Sequence, residues 1–142
     1  MKSPIVYTVI GDPVPLARPR ISGTARLVYD SQKVLKHSVL HQLLGQRGDN
    51  PLITGPCHLD VVFYLRIPKL SVSKMQALEG KYHVYKPDTD NLVKFILDVC
   101  CMQDFDDNQG ILLKDDCIVS SIHAKKLYSV TPRTVFTITE LL

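Results

Sequence analysis

Residues 57–67 limit the fold of this chain more than any other segment, because residues 61–65 within it are all apolar. A short apolar run rich in β-branched and aromatic residues, ended here by Pro68, predicts a strand that is buried on both faces. Such a strand requires neighbouring strands, and it requires helices that cover at least one side of the sheet. The rest of the chain is therefore expected to supply both.

Three other segments are expected to supply strands. Residues 5–10 are β-branched or aromatic and lie between Pro4 and Gly11, which predicts the first strand. Residues 117–128 and 133–141 alternate between apolar and polar side chains, and the link between them contains a proline. This pattern predicts a β-hairpin that completes the sheet.

Helical periodicity first appears after Ser31. This helix is expected to start at a Ser31 cap and to end at Gly45 or Gly48. A short helix is expected within residues 71–80. The predicted core residues of the first helix are Val34, Leu35, Val39, Leu40, Leu43 and Leu44.

The chain is therefore predicted to have an α/β (α+β) fold, in which a mixed sheet of about four strands packs against two main helices. Its 142 residues fit a single domain, residues 1–142.

The composition fits a cytoplasmic protein with a modest positive charge. The formal charge of +3 permits a polyanionic partner but does not require one. No apolar run reaches the roughly 18 residues that span a bilayer, and no signal peptide is evident, so no membrane contact is expected. The cysteines lack Cys-x-x-Cys spacing and have apolar neighbours, so all are expected to be reduced core residues. They are Cys57, Cys100, Cys101 and Cys117.

Residues 86–94, Lys-Pro-Asp-Thr-Asp-Asn-Leu-Val-Lys, concentrate charged and polar groups where a helix should begin. Pro87 is favoured just before or in the first turn of a helix, so Asp88 or Thr89 is expected to be the cap. Asp90, Lys94 and Asp98 are spaced by four and predict one polar stripe along this helix. The helix is expected to run to about residue 101 and to bury Leu92, Phe95, Ile96, Val99 and Cys100.

These acidic residues also have a purely structural explanation. Aspartates are favoured at helix starts, and Asp90 with Lys94 is an ordinary helical ion pair. However, two aspartates and an asparagine occupy a helix start where one capping side chain would suffice. The positively charged Lys86 and Lys94 lie on either side of them in the sequence. A second acidic pair, Asp115 and Asp116, stands at the start of a predicted strand. We expect the two clusters to meet in space and to hold a divalent cation.

The type of ligand indicates which cation this would be. Aspartates without histidine or cysteine partners favour Mg²⁺ or Mn²⁺ over Zn²⁺. Mg²⁺ held by a few carboxylates keeps several waters and accepts phosphate oxygens as further ligands. Lys94 is placed to offset charge on such a phosphate. The chemistry needs neither a nucleophilic side chain nor a nucleotide cofactor.

The two clusters resemble the signature of a known family. Residues 86–98 have the pattern Lys-Pro-Asp-x-Asp-Asn-Leu-x-Lys-x-x-x-Asp, and residues 114–119 have the pattern Lys-Asp-Asp-x-x-Val. Together they are similar to the RusA family of Holliday-junction resolvases, and the likeness extends to both ends of the chain. The resemblance implies a small homodimeric α/β endonuclease of bacteria and their prophages. It would need Mg²⁺, with Mn²⁺ as a substitute, and would nick four-way DNA junctions symmetrically in recombination and repair.

The resemblance also implies roles for individual residues. It assigns metal binding and catalysis to Asp88, Asp90 and Asp116, and catalysis to Lys94. Asn91 would orient a ligand, and Asp98 would support Lys94 rather than bind metal.

DNA contacts are expected at both ends of the chain and just before the first acidic cluster. Two arginines flank Pro19 on a loop stiffened by prolines, which suits phosphate contacts, although a solvated loop would look the same. The expected DNA-binding residues are Arg18, Arg20, Lys86, Lys125 and Lys126. One alternative function is a non-cleaving protein that binds branched DNA and retains the RusA-like architecture. Another is a domain in which the aspartates only cap a helix.

Overall fold

The computed structural model describes residues 4–17, 20–21, 23, 28–29, 31–102 and 112–142. Its strands are β1 Val6–Ile10, β2 Arg20–Ile21, β3 Val28–Tyr29, β4 Cys57–Arg66, β5 Val119–Ser129 and β6 Arg133–Glu140. Its helices are α1 Lys33–Arg47, α2 Val72–Leu78 and α3 Thr89–Cys100, and a 3₁₀ turn, Asp116–Ile118, leads into β5. The predicted fold class is confirmed, because a four-stranded mixed sheet is combined with helices in an α+β fold.

The main sheet has the strand order β1–β6–β4–β5, while β2 and β3 form a separate antiparallel pair. β4 is antiparallel to β6 and parallel to β5. The predicted β5–β6 hairpin is therefore wrong, because β4 lies between the two strands. Alternation shows which face a side chain occupies but not which strand is the neighbour. The link 130–132 has only to cross two strand spacings, about 10 Å, which three residues can span.

The hydrophobic core lies on one face of this sheet. Alternate residues of β4 are buried on that face, with Leu59 and Val61 0% exposed and Phe63 1% exposed. They pack with apolar residues of α1 and α3 in one cluster. The opposite face was predicted to be buried as well, but Val62 and Tyr64 are only partly covered and Asp60 is exposed. The guanidinium of Arg133, 3.8 Å from the centre of the Tyr64 ring, supplies part of that cover.

Helix α1 forms where it was predicted, but its first turn differs from the prediction. Gln32 rather than Ser31 is the N-cap residue, and no side chain caps the helix there. Val34 is 85% exposed and Leu35 is 41% exposed, whereas Val39, Leu40 and Leu43 are buried. Lys36 takes a buried position at the core side of this first turn, with 6% of its surface exposed.

Both edges of the main sheet have backbone groups that bond to residues outside it. On β1, the backbone N–H of Thr8 donates to Oε1 of Gln46 (2.7 Å), and Nε2 of Gln46 donates to the Thr8 carbonyl (2.7 Å). Gln42 accepts a hydrogen bond from the Ile10 N–H (2.9 Å). On β5, residues 80–83 run alongside the strand and exchange backbone hydrogen bonds with it. These contacts satisfy groups that an exposed sheet edge would leave open to another chain.

All four cysteines are free, as predicted, but they are not all in the core. Cys57 and Cys100 are buried, Cys101 is half-buried and Cys117 is exposed. Within the described ranges, no helix has the length and apolarity required to cross a membrane. Residues 104–110, a polar segment of the sequence, lie outside the described residues.

Candidate functional site

The first acidic cluster lies at the start of α3, as the sequence predicts. Asp88 is the N-cap residue, with an extended backbone (φ −72°, ψ 141°), and its carbonyl accepts a hydrogen bond from the Leu92 N–H (3.2 Å). Its carboxylate makes no capping hydrogen bond. Asp90 follows in the first turn, where its Oδ1 accepts a hydrogen bond from the Asn91 N–H (2.9 Å). Helix capping therefore does not account for the Asp88 carboxylate, and both side chains are exposed.

The faces of α3 are also as predicted. Its core residues Leu92, Phe95, Ile96, Val99 and Cys100 are all buried. Asp90, Lys94 and Asp98 are exposed along the other side. Lys94 has no hydrogen bond or ion pair to any residue that the structure describes, so its ammonium is available to a ligand.

Asp98 has a different partner from the one predicted. Its Oδ2 lies 2.7 Å from Nζ of Lys36, so Asp98 is paired with α1 rather than with Lys94. The Lys36 side chain is 7% exposed and the Asp98 side chain 52%. Lys36 was missed in the sequence although it precedes Val39 by three residues and Leu40 by four. That spacing is a usable signal that Lys36 lies on the core face of the helix.

The second acidic cluster is built by the 3₁₀ turn before β5. Asp115 is the N-cap residue, and its Oδ1 accepts a hydrogen bond from the Cys117 N–H (3.2 Å). The carboxyls of Asp115 and Asp116 share a hydrogen bond, which raises the pKa of Asp116 and lowers the pKa of Asp115. Partial burial and the charges of Asp115 and Asp98 raise the pKa of Asp116 further. Of the two carboxyls, Asp116 is therefore the one that binds a proton more readily.

The two acidic clusters were predicted to meet, but within one chain they lie at opposite ends of α3. The Asp116 carboxylate raises the pKa of Cys101, which directly follows the helix, whereas Asp88 directly precedes it. The helix rises about 16 Å between Asp90 and Cys101. The sequence could not show this, because it does not reveal that α3 runs antiparallel to β5. The strand that follows Asp116 begins where α3 ends.

The donor groups suit a hard divalent cation, although one chain does not gather them at one point. Among the described residues, no three acidic, histidine or cysteine side chains are close enough to hold a metal ion. Asp115 and Asp116 place two carboxyls side by side, and adjacent carboxylates repel each other unless a cation neutralises them. Mg²⁺ uses few protein oxygens and retains waters, so exposed aspartates at each end of α3 are suitable ligands.

The N-terminal loop is tied to the start of α3. The side chain of Gln32 donates to the Pro15 carbonyl (2.9 Å) and accepts from the Ala17 N–H (2.8 Å). Between these residues, the Leu16 N–H donates to the Asn91 carbonyl (3.0 Å). The chain that leads into the arginine segment is therefore fixed beside the first acidic cluster. Sequence reasoning missed the role of Gln32.

The residues predicted to contact DNA differ in how they are placed. Arg18 lies outside the described residues, and Arg20 begins β2. Lys86 is exposed just before the first acidic cluster, and Lys125 is half-buried on β5. Nζ of Lys126 donates to the carbonyls of Tyr85 (2.6 Å) and Pro87 (2.7 Å).

Comparison with known proteins places these features in a family. The family model described as "Endodeoxyribonuclease RusA" matches residues 11–139, which include both acidic clusters. The chain belongs to the RusA family. It is also 30% identical over 146 residues to a protein of Bacillus subtilis (strain 168) named "Uncharacterized protein YqaN", an alignment that covers 96% of each chain. The predicted resemblance is confirmed, and membership in this family supports endodeoxyribonuclease activity.

Proposed function

We propose that this protein is a Mg²⁺-dependent endonuclease that resolves four-way DNA junctions by paired cuts. The observation that carries the proposal is the first acidic cluster at the start of α3. The Asp88 carboxylate is exposed there and does not cap the helix. The cluster also lies inside the region that matches an endodeoxyribonuclease family.

The proposed site residues would have distinct roles in metal binding, phosphate contact and positioning. Asp88, Asp90 and Asp116 would hold the cation, which when bound would stabilise charge on the phosphate and acidify a water. Lys94 stands one turn after Asp90 on the same exposed stripe and would contact the phosphate that is cut. Asn91, whose carbonyl holds Leu16, would keep the N-terminal loop against the ligand residues.

The separation of the acidic clusters supports a homodimer with shared sites. Within one chain, Asp88 and Asp90 lie at the start of α3, and Asp116 lies near its end, about 16 Å further along the helix. A two-fold related copy could bring its own Asp116 to that first cluster, and the symmetry would produce two equivalent sites. Two such sites fit a junction that is cut on two opposed strands.

The test is a cleavage assay on a labelled four-way junction, with a linear duplex of the same sequence as the control substrate. We expect paired nicks in the junction with Mg²⁺ or Mn²⁺, and none after chelation with EDTA. Asp90→Asn should bind the junction without cutting it. A wild-type protein that binds the junction but leaves it intact with both cations would refute the proposal. That result would favour the non-cleaving branched-DNA-binding protein.

A further inference from the structure

Lys126 is placed to hold the chain just before Asp88. Its Nζ donates to the Tyr85 carbonyl at 2.6 Å and to the Pro87 carbonyl at 2.7 Å. Lys126 lies opposite Phe63 in the sheet register, which puts it on the same sheet face as the core and α3. Two of the three N–H groups of its ammonium are therefore committed to the backbone of one short segment.

The backbone alone does not fix this segment. Residues 80–83 are joined to β5 by main-chain hydrogen bonds, the last from the His83 N–H to the Lys126 carbonyl (3.0 Å). Among the described residues, no main-chain hydrogen bond connects 84–87 to β5. Beyond the point where these main-chain hydrogen bonds end, the Lys126 side chain holds the carbonyls of Tyr85 and Pro87.

The surroundings of Lys126 match a structural contact more closely than a contact with DNA. The neighbouring His83 ring is 4.7 Å from the ring of Tyr128, and its Nδ1 is buried without a hydrogen-bond partner in the described structure. Burial and the charge of Lys126 lower the pKa of His83, which favours the neutral form of its ring beside the ammonium. By contrast, Tyr82 and Tyr85 on the same segment are 70% exposed.

We propose that Lys126 is a positioning residue that fixes the location of Asp88, rather than a DNA contact. Pro87 directly precedes Asp88, so the carbonyl that Lys126 holds is one peptide from the proposed metal ligand. The helix fixes Asp88 from the other side through the Leu92 N–H. Without the Lys126 hydrogen bonds, the backbone that carries the Asp88 carboxylate is held only on its helical side. This inference rests on the proposed function for its catalytic consequence, but the anchoring itself can be tested independently.

The experiment compares Lys126→Met with Lys125→Met, a change at the adjacent lysine proposed to bind DNA. Lys74→Met, at an exposed lysine on α2 outside the proposed site, serves as the control. Three quantities are measured: the single-turnover nicking rate at saturating enzyme, the junction Kd over a range of salt, and hydrogen exchange of the amides in residues 83–90.

Lys126→Met should lower the saturated nicking rate on the order of 10–100-fold, since a catalytic group displaced by about 1 Å has effects of that size. Its junction Kd should stay within about twofold, with an unchanged salt slope, because no phosphate contact is lost. Exchange in residues 83–90 should become faster. Lys125→Met should weaken binding and reduce the salt slope by about one. Lys74→Met should match the wild type in all three measurements.

A Lys126→Met protein with a normal saturated rate, weaker binding and a reduced salt slope would overturn the proposal and make Lys126 a DNA contact. Unchanged exchange in residues 83–90 would also overturn it, even if the wild type proves inactive. If the wild type fails to cut but the variant exchanges faster, the anchoring stands and only the proposed function fails. Should the methionine variant not fold, Lys126→Gln removes the same charge and is judged by the same measurements.

Discussion

Lys36 and Asp98 form an ion pair whose two members differ in their exposure to water. The Lys36 side chain is 7% exposed and the Asp98 side chain 52% exposed, with 2.7 Å between Nζ and Oδ2. Removing the acid leaves a buried ammonium without this partner, whereas removing the lysine leaves a carboxylate that water can reach. The pair should therefore respond unequally to substitution of its two members.

Asp98→Asn should cost about 1–3 kcal/mol of unfolding free energy, because a buried charge loses a charged partner. Lys36→Met should cost about 1 kcal/mol or less, since methionine fills the same space with an apolar chain. Urea unfolding at pH 7 measures both values. Equal losses in the two variants would contradict the burial argument.

The cysteines should differ sharply in their reactivity. Cys117 is exposed, while burial raises the pKa of Cys100, and burial together with nearby carboxylates raises the pKa of Cys101 to about 12. At pH 8 only about one part in 10⁴ of the Cys101 thiol is therefore ionised, and the thiolate is the reactive form.

We expect a maleimide reagent at pH 7–9 to modify one cysteine rapidly, as measured by intact mass. The rapid modification should disappear in Cys117→Ser. Rapid labelling that persists in this variant would show that a second thiol is accessible.

At the scale of elements, the sequence predicted whether each main segment is a helix or a strand more accurately than it predicted which segments lie beside it. The period of the apolar residues gave α1, β4 and α3 with nearly correct bounds, because periodicity follows from which face is buried. It could not show that β4 separates β5 from β6, since an alternating strand has the same pattern beside any partner. The acidic residue types were likewise readable from the sequence. Their separation along α3 depends on helix direction, which the sequence does not encode locally.

Gln46 joins two elements, because its amide bonds both backbone groups of Thr8 on the outer edge of β1. Gln46→Leu should lower the unfolding free energy by about 1–2 kcal/mol through the loss of these hydrogen bonds. It should also promote aggregation, because the strand edge becomes available to other chains. Urea unfolding and light scattering measure the two effects. Gln76→Leu, at an exposed glutamine on α2, is the matched control and should change neither quantity.

At the scale of the whole molecule, the divided acidic clusters make subunit exchange the decisive experiment. Asp88→Asn and Asp116→Asn should each be inactive alone. After the two variants are unfolded and refolded together, mixed dimers with shared sites would contain one intact site. They should nick the junction on one strand without making paired cuts.

The control mixture combines Asp88→Asn with Asp90→Asn, whose defects lie in the same cluster. It should remain inactive, because every shared site then carries one defect. If the first mixture is also inactive while the wild type cuts, each site lies within one chain. Size-exclusion chromatography with light scattering should show a dimer, and a monomer at working concentration would exclude shared sites.

The strand order also determines when the sheet can be completed during synthesis. Among the described strands, β1 is synthesised first, yet its neighbour in the sheet is β6, which is synthesised last. The ladder of β1 can therefore form only after β6 has been synthesised, and a product that stops before β6 cannot connect β1 to β4 through the sheet. Until β6 has formed, β1 can be held only by its contacts with α1, which include the hydrogen bonds between Thr8 and Gln46.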